Sequence, residues 1–169
     1  MSRLVRLLMV AALLVIAITV QVSVFSHFSI DGVTPDLALL IVVAAALIRG
    51  PGYGAALGFV AGLLVDLAPP ADHTAGRWAL ALIVVGYLVG LLRHEGRQSS
   101  VATMLVVVAA TFVGASLFAL SGLILGEAPG AGSMLAQIGL EVLYNAIVAP
   151  FLVPIVLWTV RRLVPREAW

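Results

Sequence analysis

The sequence contains no cysteine and no lysine, and only 10% of its residues are charged. The missing cysteine excludes disulfides, thiolate metal centres and a cysteine nucleophile. The charge content is far below the roughly one quarter usual in soluble domains. Histidine occurs only at positions 27, 73 and 94, separated by apolar stretches and without metal-ligand spacing. No Walker phosphate loop, no His-Glu-x-x-His and no Gly-x-Ser-x-Gly occurs. No metal, no cofactor and no catalytic residues are therefore expected. A net charge of +1 leaves no electrostatic footprint for nucleic acid.

What the chain does have is apolar residues, 63% of its 169. A soluble domain of this size keeps much of its surface wet and cannot hide so many. A lipid solvent removes that difficulty, provided that the backbone satisfies its own hydrogen bonds. The expectation is an all-α integral membrane protein, a single transmembrane domain of six helices over 1–169. Six spans of about 20 residues fit the length and leave short loops. They fall at about 4–25, 36–48, 52–67, 77–92, 101–125 and 134–160. The run after Arg3 and Arg6 is too long for a signal-peptide core and lacks a clear cleavage site. It reads as an uncleaved first span. Pro35 opens the second span, and Arg49-Gly50-Pro51-Gly52 forms a turn before the third. Spans two and three are short for a hydrocarbon core of about 30 Å. They either cross as thin or tilted helices or form a re-entrant hairpin, and the charge pattern favours crossing.

That pattern is one of arginine. With the N-terminus in the cytoplasm, eight arginines (3, 6, 49, 93, 97, 161, 162 and 166) lie inside and only Arg77 lies outside. This is a strong positive-inside bias, with both termini cytoplasmic. The outer segments carry Asp31, Asp36, Asp66, Asp72 and Glu127 instead.

Two patterns within the spans carry information. Gly50, Gly54, Gly58 and Gly62 recur every fourth residue and form one helix ridge. Such a ridge admits a second helix closely, either from the same bundle or from a partner. The second pattern is polar. Gln21 lies late in span one, Asp66 late in span three, and Gln137, Glu141 and Asn145 follow one face of span six. All five fall in the outer half of the membrane. They form either an outward-facing polar pocket or partner surface, or, for Asp66 and Glu141, simply interfacial groups. Pro150 and Pro154 can each kink span six. Trp78 and Trp158 suit anchors at opposite interfaces.

From span one to span four the chain resembles the rod shape-determining protein MreD family. The residues concerned are Gln21 and Phe25, Thr34-Pro35-Asp36-Leu37, Arg49-Gly50-Pro51-Gly52-Tyr53-Gly54, the stretch from Gly54 to Asp66, and Gly76. The second half is similar by hydropathy alone. The resemblance implies a non-enzymatic scaffold of the cell-elongation machinery in the bacterial inner membrane. Its partners would be MreC and, through it, MreB, RodA and a class B penicillin-binding protein, with a role in peptidoglycan synthesis and cell shape. It also implies a fold similar to the substrate-binding S-components of energy-coupling-factor transporters. A vitamin-type S-component is the rival function. The Ala-xxx-Ala surface usual in the first span of those proteins is absent here.

Overall fold

The computed structural model describes residues 3–23, 29, 33–69, 73–94, 100–127 and 131–163. His27, Asp31, Asp72, Arg97, Arg166 and the expected end of span one at Phe25 lie outside them. Six α-helices account for most of the described residues: α1 (Arg3–Ser23), α2 (Leu37–Arg49), α3 (Pro51–Leu67), α4 (Arg77–Leu91), α5 (Ser100–Leu125) and α6 (Ala131–Leu163). A short 3-10 turn, Leu92–His94, extends α4. By length and apolar composition α5 and α6 qualify as membrane spans, while 8–23 of α1 and the whole of α2, α3 and α4 are apolar but shorter.

The shortest helix is the centre of the bundle. α2 contains no charged residue before its last, Arg49, and eleven of its thirteen residues are buried. A helix that is apolar all round belongs in a core, and α2 packs against all five others. At 1.5 Å per residue it is about 20 Å long.

α2 and α3 are separated by one residue rather than by the expected four-residue turn. Gly50 has φ +92°, a conformation a side chain would strain. Its N–H donates to Ala46 O at 2.8 Å and closes α2, while its carbonyl accepts from Gly54 N–H at 3.0 Å and opens α3. Pro51, which has no N–H to lose, takes the first helical position.

α3 and α4 form an antiparallel pair with an unusually close seam. A Cβ built on Gly54 would fall onto Gly86 O and 2.7 Å from Ala46 Cβ; on Gly58, onto Leu82 O and 3.0 Å from Ile83 N; on Gly62, 2.5 Å from Trp78 O. From the other side, Gly86 and Gly90 face Gly54 and Pro51. Both backbones therefore touch through glycine, as apolar helices without a hydrophobic driving force must do to gain dispersion contacts. The ridge of span three meets its own neighbour, α4. The remaining faces carry large exposed apolar side chains, Phe59, Val60, Leu80 and Leu88 among them.

α6 runs unbroken through Pro150 and Pro154, both on its exposed face. Trp158 is exposed and lies under the Arg162 guanidinium, 4.5 Å away. Trp78 differs from the expected interfacial anchor. It is half-buried and stacks on Phe118 at a centroid distance of 4.6 Å.

Candidate functional site

The polar residues cluster where helices begin. The first turn of an α-helix leaves N–H groups without intrahelical acceptors. In a membrane each would be costly if left bare. At the start of α2, Asp36 N–H donates to Asn145 Oδ1 at 2.9 Å, Leu37 N–H to Gln21 Oε1 at 2.8 Å and Leu39 N–H to Asp36 Oδ1 at 2.9 Å. Ala38 N–H also points at Gln21 Oε1, at 3.4 Å. Asn145 completes its amide by donating from Nδ2 to Thr111 Oγ1 at 3.2 Å, and Thr111 donates to Val107 O. Three other helices thus converge on one helix end. Asn145 is the fifteenth residue of α6, about 21 Å from its start. α2 therefore begins partway along its long neighbours, and space is left beyond it.

Asp66 does the same work for α4 and stands apart from the other four expected residues. It is 1% exposed. Its carboxylate accepts Gly76 N–H at 2.8 Å and Trp78 and Ala79 N–H at 3.1 Å. His73 Nδ1 is 3.7 Å away. Asp66 caps a helix that begins eleven positions later, and it does not line the cavity described below.

A clasp closes this end of the bundle. α5 finishes in a Schellman motif: Gly126, at φ +75°, donates to Leu123 O and Glu127 N–H donates to Gly122 O at 2.8 Å. That turn presents Glu127 to Arg77 Nη1 at 3.0 Å and to Thr74, whose hydroxyl and N–H both donate to it. Thr74 first, then Arg77, hold the Glu127 carboxyl below its ordinary pKa. Arg77 also donates from Nε to Ser121 Oγ and from Nη2 to Phe118 O, with its guanidinium 3.9 Å over the Phe118 ring. Gly122 leaves room for that guanidinium. A cation at a helix N-terminus is on the wrong side of the helix dipole. Glu127 and Asp66 supply the opposing charge.

Between the clasp and the start of α2 lies a cavity of about 260 Å³. Its walls include Gln21, Asp36, Arg77, Phe118, Gln137 and Glu141. Two carboxylate oxygens here, Asp36 Oδ2 and Glu141 Oε1, are buried and have no hydrogen-bond partner among the described residues. The structure thus brings Gln21, Gln137 and Glu141 together, places Asn145 beneath them as a support for Asp36, and leaves Asp66 elsewhere. Sequence reasoning gave Asp36 and Arg77 as outer charges at the starts of spans two and four, and Asp36 also within the family-like Thr34–Leu37 run, but neither as a site residue. The signal for Asp36 was its position after Pro35 at a helix start, and for Arg77 its being the one base among acids. Among the described residues no three His, Asp or Glu side chains are grouped to hold a metal ion.

A helical bundle with large apolar side chains on its outer faces, and with two helices long and apolar enough to cross a bilayer, is of the membrane-protein class. The family pattern of rod shape-determining protein MreD matches residues 1–163, and the chain belongs to that family. It is a membrane component of rod-shape determination, in a family of shape-determining rather than known catalytic proteins. Comparison with curated proteins and with solved structures gave no match.

Proposed function

We propose that this protein is a non-enzymatic scaffold of the elongation machinery, holding MreC in the inner membrane and through it supporting peptidoglycan synthesis with MreB, RodA and a class B penicillin-binding protein. The observation that carries this reading is where the polar side chains go. Gln21, Asp66, Arg77 and Asn145 each bond to the backbone of another helix or loop. Such bonds build a rigid frame. All six helices cross the membrane with both termini cytoplasmic, and the arginine distribution supports this orientation. The Arg77–Glu127 clasp and the cavity then lie at the outer end. With Gly54, Gly58 and Gly62 filled by α4, the surface for MreC comes from outward faces instead.

The cavity favours a second reading, a substrate-binding S-component of a vitamin-type transporter with a similar six-helix fold. Affinity purification of a tagged copy from native membranes in mild detergent, followed by mass spectrometry, separates the two. Recovery of MreC and a class B penicillin-binding protein supports the scaffold. Recovery of ATP-binding-cassette ATPases with a coupling subunit, and no MreC, overturns it.

A further inference from the structure

The cavity holds a feature that the scaffold role does not use. Asp36 is 3% exposed, and one of its carboxylate oxygens caps α2 through Leu39 N–H. The other is buried without a donor, as is one oxygen of Glu141, and both residues line the cavity. A buried acceptor left open is costly, and more so when it is charged. Two of them in one cavity point to a donor that enters it. Charge gives its sign. Asp36 and Glu141 carry two negative charges when ionised. The start of α2 contributes only about half a positive charge, and Arg77 is already paired with Glu127 at 3.0 Å. The lining therefore holds two acids, and its one arginine is already engaged elsewhere.

Size and depth give the shape. A volume of about 260 Å³ lies under the 300–1,000 Å³ usual for drug-sized ligands. Glu141 lies ten residues into α6, about 15 Å from its start. Walls from α1, α4, α5, α6 and the segment 33–36 leave no room for a partner's helix. A compact ammonium on a slim aliphatic stem fits, because it carries three N–H donors in little volume.

We propose that this cavity binds the primary ammonium group of a small amine or of an aminoethyl phospholipid headgroup, held against the Asp36 and Glu141 carboxyls. The proposal is independent of the scaffold reading and holds whichever proteins co-purify.

The test uses the full chain in detergent, with thermal unfolding followed at matched ionic strength in ethylammonium, n-butylammonium or tetramethylammonium chloride. Both primary amines raise the midpoint, and tetramethylammonium, which has no N–H, does not. Glu141→Gln and Asp36→Asn each raise the half-saturating amine concentration at least tenfold. Asparagine still caps α2, so Asp36→Asn keeps the fold. Carbodiimide coupling in native membranes then names the source. The chain has no lysine of its own to react. Mass spectrometry that finds phosphatidylethanolamine joined to Glu141 or Asp36 assigns a lipid headgroup. Protection of both carboxyls by added ethylammonium, with no lipid adduct, assigns a soluble amine. An equal response to all three cations, no response, parent-like behaviour of both variants, or coupling to a lysine of another protein would overturn the proposal.

Discussion

Replacing Gly58 by alanine adds one methyl group where there is no room. The new Cβ would fall on Leu82 O, 2.6 Å from Leu82 C and 3.0 Å from Ile83 N. These are backbone atoms of a packed helix and cannot swing aside. Restoring contact near 3.5–4.0 Å requires the seam to open by roughly 1.5–2 Å at its tightest point. Overpacking by one carbon typically costs about 1–3 kcal/mol, and backbone on both sides places this case at the upper end. The helix preference for alanine over glycine returns about 1 kcal/mol. The net loss is therefore about 2 kcal/mol. Gly139 in α6 provides the control, since a Cβ there meets nothing within 4 Å. Gly139→Ala receives the helix preference without the clash and is stabilised by up to about 1 kcal/mol. The two variants should differ by about 3 kcal/mol, roughly a hundredfold in the unfolding equilibrium constant. Titration with dodecyl sulfate in mixed micelles, read by tryptophan fluorescence, measures it. Gly58→Ala unfolding at the same midpoint as Gly139→Ala would refute the internal-seam reasoning. In cells, Gly58→Leu should lower the amount of protein and thereby round the cells.

Three further predictions concern the caps and the clasp. Asp66→Ala leaves Gly76, Trp78 and Ala79 N–H without their acceptor, so hydrogen exchange at those amides should accelerate and stability fall by about 1–3 kcal/mol; unchanged exchange there refutes the cap. Asn145→Ala frees both Asp36 N–H and Thr111 Oγ1, with a loss of about 1–3 kcal/mol in the same titration. The Thr111→Val/Asn145→Ala double variant should lose less than the two singles added, because they share one bond. Glu127 has its carboxyl depressed below 4.5 in the folded state. Its contribution is therefore complete above 4.5 and disappears as pH falls through the lower folded value. Unfolding midpoints measured from about pH 7 down to about pH 3 should show a loss that Glu127→Gln abolishes.

Hydropathy and punctuation revealed six helices in this chain because each apolar stretch ends at a charge, a glycine or a proline. The ridge at Gly50, Gly54, Gly58 and Gly62 was equally visible, since a spacing of four is a helical repeat. What sequence could not supply is the position of each helix around the bundle. Depth alone grouped Asp66 with Glu141, yet Asp66 caps α4 while Glu141 faces the cavity beyond α2. Asp36 looked like one of several outer acids, because its burial depends on Gln21 and Asn145 arriving from opposite ends of the chain. Trp78 had the position of an interfacial anchor, and only the approach of Phe118 from α5 turned it inward. Gly50 stood in an evident turn signal, but whether one residue or four made the turn depended on Pro51 being able to start a helix at once.

The short central helix also bears on how the protein is made. α2 emerges from the ribosome second, but the side chain that accepts Asp36 N–H is Asn145, which emerges more than a hundred residues later. Until α6 is synthesised, α2 waits with its leading amides only partly satisfied. Order of synthesis and order of assembly therefore cannot coincide. A truncation before α6 would leave α2 exposed in a form that quality-control proteases can recognise. Docking of α6 is thus what completes the start of α2.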